Sequence, residues 1–299
     1  MTARFPTTKV ELEQEDEIVL PETQSRVRRR VALVTGSSRG TGRAIASALA
    51  WDHDIVVHYR RRESDAVLAA EGMRALGARV IVQRAELEDP AELQSMVDAA
   101  VHEFGFIDSF IANAAAGAFV PLTHSKHHHV TRTFATIVTG FTDLIRYIIP
   151  HMPSGGRIVV VSGTDSTFAG NDHALIGAAK AALESLIRNL AVELGPRGIT
   201  ANAIVPGPIV TESLQHAIDV GVAELADLVM RSIPAGRLGE PEDMADVVRF
   251  LCSASARYVS GVAIPVDGGL SAGGGPWGLL QLESLLRRES AEPISHATS

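Results

Sequence analysis

Thr35-Gly36-Ser37-Ser38-Arg39-Gly40-Thr41-Gly42 follows directly on the apolar run Val31-Ala32-Leu33-Val34 and leads into Arg43-Ala44-Ile45-Ala46. An apolar run, a glycine-punctuated turn and an amphipathic stretch, in that order, read as strand, turn and helix. Glycines at 36, 40 and 42 allow a sharp turn and leave main-chain N–H groups uncovered at the positive end of the helix, a seat for a pyrophosphate. A glycine-rich segment is weak evidence alone; its place on the first strand–turn–helix unit makes it specific.

The alternation continues outward from there. Short apolar runs at Val31–Thr35, Asp54–Tyr59, Arg79–Gln83, Ile107–Ala112, Gly156–Ser162, Ile199–Val205 and Val262–Val266 read as strands, and each but the last precedes a helix-like segment. Runs such as Ile158-Val159-Val160-Val161 lack polar–apolar alternation, as strands buried on both faces do. The expected architecture is α/β, a doubly wound parallel seven-stranded sheet between two helix layers.

Three segments are expected. Residues 1–28 are polar, acidic and then basic, and read as a flexible N-terminal arm; residues 29–270 form the nucleotide-binding domain; residues 271–299 are an extension. In that extension Trp277 to Arg288 reads as a short amphipathic helix that covers its own core, meets a second subunit or touches a substrate carrier, the spacing suiting all three.

Composition narrows the function classes. With 27 basic against 35 acidic residues the net charge is −8, and no general basic field would draw the chain onto nucleic acid or an anionic bilayer. A single cysteine, Cys252, excludes a disulfide framework and reads as a small buried hydrophobe in a reducing compartment. The first thirty residues hold no apolar run of the signal-peptide kind, and a cytoplasmic location without a membrane partner is expected. There is no Gly-x-Ser-x-Gly elbow and no phosphate-binding loop of the triphosphatase type.

The second strand ends Val57-His58-Tyr59-Arg60-Arg61-Arg62, where a site for NAD offers an acidic side chain to the adenosine ribose. Arginine there suits a 2′-phosphate, so Ser38, Arg39 and Arg60 are the candidates for holding it and NADP(H) is the expected cofactor.

The run Thr35 to Gly42 meets the Thr-Gly-x-x-x-Gly-x-Gly pattern of the short-chain dehydrogenase/reductase superfamily, which the chain resembles from Val31 to Leu270. Further landmarks are Gly156-Arg157-Ile158-Val159, Ala178-Ala179-Lys180, Ala201-Asn202-Ala203-Ile204-Val205-Pro206-Gly207 and Val266-Asp267-Gly268-Gly269. The resemblance implies a three-layer Rossmann fold with Lys180 on the nicotinamide ribose hydroxyls, Pro206 and Gly207 to Thr211 against the nicotinamide, Glu86 at the adenine and Asn113 after the fourth strand. It also implies a homodimer or homotetramer and a small-molecule substrate, free or bound to a carrier.

The usual catalytic residues are absent. The tyrosine of the family's Tyr-x-x-x-Lys falls on Ile176, its serine on Gly163 and its helix asparagine near Ile137, leaving Lys180. Ser162 is one residue off and, by the alternation of an extended segment, faces away; Thr164, Asp165 and Ser166 are loop candidates. The enoyl-thioester reductases of the superfamily place their tyrosine seven residues before the lysine, and that position here is His173. Asn113-Ala114-Ala115-Ala116-Gly117 and Pro121-Leu122 also resemble that branch.

Three functions are consistent with this pattern: an NADPH-dependent reductase of a conjugated C=C bond using Lys180 and His173, a non-redox enzyme of secondary metabolism using His173 or Asp165 as acid or base, and a non-catalytic subunit. His124, His127, His128 and His129 precede the long helix ending near Pro150; on a helix His124 and His128 would share a face, but no further ligand follows at metal spacing. They read as polar pocket lining or plain surface, and no metal is expected.

Overall fold

A computed structural model describes residues 28–170, 172–210, 230 and 232–273. Strand and helix alternate in chain order: β1 (Arg30–Val34), α1 (Gly40–Leu49), β2 (His53–Tyr59), α2 (Glu63–Ala75), β3 (Val80–Arg84), α3 (Pro90–Phe104) and β4 (Ser109–Ala112). There follow α4 (His127–Phe134), a π-helical turn at Ala135–Thr139, α5 (Gly140–Ile148), β5 (Arg157–Val161), a 3-10 turn at Thr164–Ser166 and α6 (Ala174–Leu194). Among the described residues the chain then forms β6 (Thr200–Pro206), α7 (Pro241–Cys252) and β7 (Ala263–Val266). Each expected strand is present, with bounds within two residues of those read from sequence.

The strands form one parallel sheet in the order β3-β2-β1-β4-β5-β6-β7. The chain steps outward from β1 to β3 and then restarts on the other side of β1, so the topological switch lies between β1 and β4, where a crevice opens at the strands' carboxyl ends. Both faces of the sheet are covered. Leu33, Phe110, Ile158 and Val160 pack with α3, α5 and α6 on one side, and Val34, Ile55, Ile111 and Val159 pack with α1, α2 and α7 on the other. Burial on both faces is why these strands read as continuous apolar runs, each fully buried Ile or Val contributing about 1.5–3 kcal/mol. Local signals agree with the packing: Asp89 caps α3 by accepting from the N–H groups of Ala91 and Glu92, Pro90 occupies its first turn, and Gly105 closes it in the left-handed conformation.

Two expectations are corrected here. The histidine run does not precede the long helix: His127, His128 and His129 form the first turn of α4. His124 ends a separate 3-10 turn, Leu122–His124, and the extended backbone of Ser125 and Lys126 stands between, so His124 and His128 do not share a helix. The helix itself is interrupted by the π turn, which carries the core residue Ile137. Cys252 is buried, as expected, and burial pushes its thiol up to about 12. Among the described residues no helix is long and apolar enough to cross a membrane. The N-terminal arm up to residue 27 and the Trp277–Arg288 segment lie outside the described residues.

Candidate active site

The crevice at the switch point has a volume of about 530 Å³ and is lined on one wall by the glycine loop and on the other by the residues after β4. Gly36, Ser38, Arg39, Gly40, Gly42, Arg60, Glu86 and Asn113, eight positions singled out from sequence, all line it.

Local chemistry holds the glycine loop open. Thr35 Oγ1 accepts the backbone N–H groups of Asn113 and Ala114, each at 3.0 Å, and Asn113 Nδ2 donates to Thr35 O at 3.0 Å, tying the end of β1 to the end of β4. A Cβ on Gly42 would stand 2.3 Å from Gly36 O and 2.5 Å from Asn113 Nδ2, so α1 approaches the loop closely only because residue 42 has no side chain. Gly40, in the left-handed region (φ +54), has nothing within 4 Å of such a Cβ and faces open space. This is a cradle into which a pyrophosphate fits: a helix N-terminus, uncovered backbone, and a wall with room beside it.

Sequence reading missed one member of the site. His58, on β2 and buried, accepts the Gly36 N–H on Nδ1 at 2.9 Å and donates from Nε2 to Ala85 O at 3.0 Å. This two-sided arrangement requires the neutral ring, and burial pushes its pKa down. The available signal was a histidine two residues before Arg60, directly after the apolar run Ile55-Val56-Val57.

The arginines are arranged differently from the expectation in one respect. Arg60 forms an ion pair with Glu86, and Arg84 lies 3.6 Å from the same carboxylate, so Arg60 and Glu86 act as a unit at the outer end of the crevice. Arg61 and Arg62 line the same wall. Glu88, on the loop before α3, accepts from the Thr136 hydroxyl at 2.6 Å and ties that loop to the π turn.

Beyond the crevice, α6 carries the second group of predicted residues. Lys180 is buried, and its ammonium donates to Val161 O at 2.6 Å. Burial pushes it down to about 8, against the attraction of Asp165 and Glu184. The unfolded chain holds this proton up to its ordinary 10.5, whereas the folded chain releases it near 8. Between these values the unfolded state binds more protons, so stability from this group rises with pH across the window and is at its lowest below pH 8. Lys180→Met is expected to flatten that rise in calorimetric Tm of the cofactor-free protein between pH 8 and 10.5.

His173 precedes α6, seven residues before Lys180 in the chain; at about 100° and 1.5 Å per residue the two share a helix face about 10 Å apart. Ile176, where the family's tyrosine falls, is buried, and a Cβ on Gly117 would stand 2.6 Å from its Cγ1, so it closes the wall against the chain after β4. Ser162 turns away as expected, its hydroxyl donating to Glu184 Oε1 at 2.5 Å. Pro206 ends β6 and Gly207 follows it, with Gly207 N–H donating to Val266 O at 3.1 Å. Thr211 lies outside the described residues.

Comparison with known proteins agrees with this architecture. Residues 36–271 match the family model described as enoyl-(acyl carrier protein) reductase. The chain is 35% identical over 251 residues to a 1-cyclohexenylcarbonyl-CoA reductase of Streptomyces collinus, covering 84% of this chain and 90% of that one. Among solved structures, a blue fluorescent protein from a metagenomic library in complex with NADPH superposes with a TM-score of 0.75 at 33% identity, covering 81% of this chain and 98% of that one. A short chain dehydrogenase from Burkholderia cenocepacia in complex with NADP gives 0.75 at 30% identity, again over 81% and 98%. The family model, the relative and the superposed structures point to one family, and the chain belongs to the short-chain dehydrogenase/reductase superfamily of NAD(P)-dependent oxidoreductases.

Proposed function

We propose that the protein is an NADPH-dependent reductase of a conjugated carbon–carbon double bond, in an enone or an enoyl thioester. The observation that carries this reading lies at the end of β5 and the start of α6: Gly163 and Ile176 stand where a carbonyl reductase has its serine and tyrosine, while His173 supplies a polar, partly exposed side chain one turn before Ile176. The name of the family model and the thioester substrate in the name of the Streptomyces collinus relative support it.

The cofactor is NADP(H), which when bound supplies the hydride. The chain's own residues do the rest. The glycine cradle and Asn113 hold the pyrophosphate wall, Lys180 reaches the ribose, and Ser38, Arg39 and Arg60 bind the 2′-phosphate by charge-assisted hydrogen bonds. As hydride adds to the substrate's β-carbon, the π electrons of the C=C bond move toward the carbonyl oxygen, and His173 donates a hydrogen bond to the enolate oxygen that forms. A proton delivered through His173 then ends on the α-carbon, completing addition of H⁻ and H⁺ across the double bond. Reduction at the β-carbon does not need a proton on oxygen as strongly as carbonyl reduction does, which is how a site without the tyrosine remains competent.

Titration with NADPH followed by crotonyl-CoA or a cyclic enone tests this. Tight binding with oxidation of NADPH is the expected result; tight binding without oxidation across such a panel would overturn it in favour of non-redox acid–base chemistry at the same histidine. Arg60→Ala is expected to weaken NADPH about 10-fold to 100-fold and NADH little, since a hydrogen bond to a charged group contributes roughly 1.5–3 kcal/mol.

A further inference from the structure

Two groups that this reading leaves aside lie against the His173 ring. Asp165, on the 3-10 turn after β5, places Oδ2 3.3 Å from His173 Nδ1. Its side chain is 17% exposed against 43% for the imidazole, so the carboxylate lies behind the ring and the ring faces outward. Phe119 meets the imidazole edge-to-face with centroids 5.0 Å apart, and its loop is held to the same segment by the Val120 N–H donating to Asp172 O at 3.1 Å.

The backbone is shaped around Asp165. A Cβ on Gly163 would stand 2.5 Å from Asp165 Oδ1, and a Cβ on Gly177 would stand 2.3 Å from Asp165 O. Gly163 is extended (φ −171), a conformation open to any residue, so what the position requires is space and not backbone freedom. The carboxylate therefore fills the place where a side chain at 163 would begin. Loss of a side chain at 163 and presence of an acid at 165 are two halves of one arrangement.

We propose that Asp165 is the positioning residue for His173: it accepts the Nδ1–H, holding the ring plane and tautomer so that Nε2 is the nitrogen presented to the substrate oxygen. This inference rests on the reductase reading above. In the resting ring Nδ1–H is bonded to Asp165 and Nε2 is bare. Nε2 takes a proton from solvent, and the Nε2–H of the resulting imidazolium donates to the enolate oxygen and gives that proton to the substrate. The electron pair of the broken N–H bond stays on Nε2 while Nδ1–H remains bonded to Asp165. The charge of Asp165 also favours the Lys180 ammonium.

Long-range ¹H–¹⁵N spectroscopy of the histidine-labelled full-length protein reads this without turnover. The expected signature is one His173 tautomer with the proton on Nδ1, replaced by a mixture in Asp165→Asn; the proton on Nε2 in the wild-type protein, or no change in the variant, would overturn the proposal. Kinetics with NADPH and crotonyl-CoA give a second reading. Asp165→Asn is expected to lower kcat about 10-fold to 100-fold with unchanged NADPH affinity. It should have no further effect when added to His173→Ala, because residues that act as a unit are non-additive. Gly163→Ala should lower kcat about 10-fold, on the same scale, and should be neutral in an Asp165→Ala background; an equal loss in both backgrounds would overturn the coupling. Failure of the wild-type protein to oxidise NADPH with such substrates overturns the reductase reading, full activity in His173→Ala removes His173 and with it Asp165 from the site, and loss in His173→Ala with none in Asp165→Asn removes only the role given to Asp165.

Discussion

His173→Ala is expected to lower kcat by about 100-fold to 10,000-fold, the range a positioned proton donor contributes. The NADPH dissociation constant should stay within about twofold, since His173 lies outside the lining of the dinucleotide crevice. Folding is a weak confounder here. The imidazole makes no side-chain cap bond to α6 and is 43% exposed, so loss of its bond to Asp165 and its contact with Phe119 should cost only about 1 kcal/mol. A Tm near that of the wild type together with the loss of kcat therefore reads as chemistry. His173→Tyr returns the phenol that the enoyl-thioester branch carries seven residues before its lysine, and it should retain more turnover than His173→Ala. Undiminished NADPH oxidation by the alanine variant would sink the assignment of this residue.

Gly42→Val is expected to abolish detectable NADPH binding. The first atom of any side chain at 42 would meet Gly36 O at 2.3 Å and Asn113 Nδ2 at 2.5 Å, both on the rigid junction of β1 and β4. Relief requires α1 to withdraw from the sheet, opening the cradle and separating Gly36 from His58, whose ring accepts the Gly36 N–H. Overpacking of this kind costs about 1–3 kcal/mol or more, so Tm falls as well as affinity. Gly40→Ala is the informative contrast. Its Cβ meets nothing within 4 Å, and the left-handed backbone there costs an alanine only about 1–2 kcal/mol. Fluorescence titration with NADPH should therefore show a graded loss at 40 and a complete loss at 42; equal behaviour at both would mean that the close approach of α1 is not what holds the cradle.

How much of this was legible beforehand depends on the range of the interaction. The seven strands, the glycine turn and the helix carrying Lys180 follow from apolar runs and turn residues within a few positions of one another. The eight crevice residues lie together for the same reason: they occupy the turn and helix start after β1 or the positions just past β2, β3 and β4, whose place in the sheet follows from the order of βα units. What escaped were contacts between segments distant in the chain. The Gly36–His58 bond links positions 22 apart, and the Arg60–Glu86 pair turns two separately assigned residues into one group. The histidine run was misplaced because spacing alone cannot tell one helix from a 3-10 turn followed by a helix; the extended backbone of Ser125 and Lys126 separates them.

The sequence by itself determined the architecture, the dinucleotide cradle and the absence of the family's tyrosine and serine, because these are properties of local pattern and of residue identity at counted offsets. Only the tertiary structure decided what stands in place of the missing groups. Gly163 reads as a deletion in one dimension; in three it is the space that Asp165 fills, against His173 eight residues on. Side-chain direction at the end of β5 and the start of α6 is set by packing of the sheet against the helix, an interaction that no periodicity in the chain encodes.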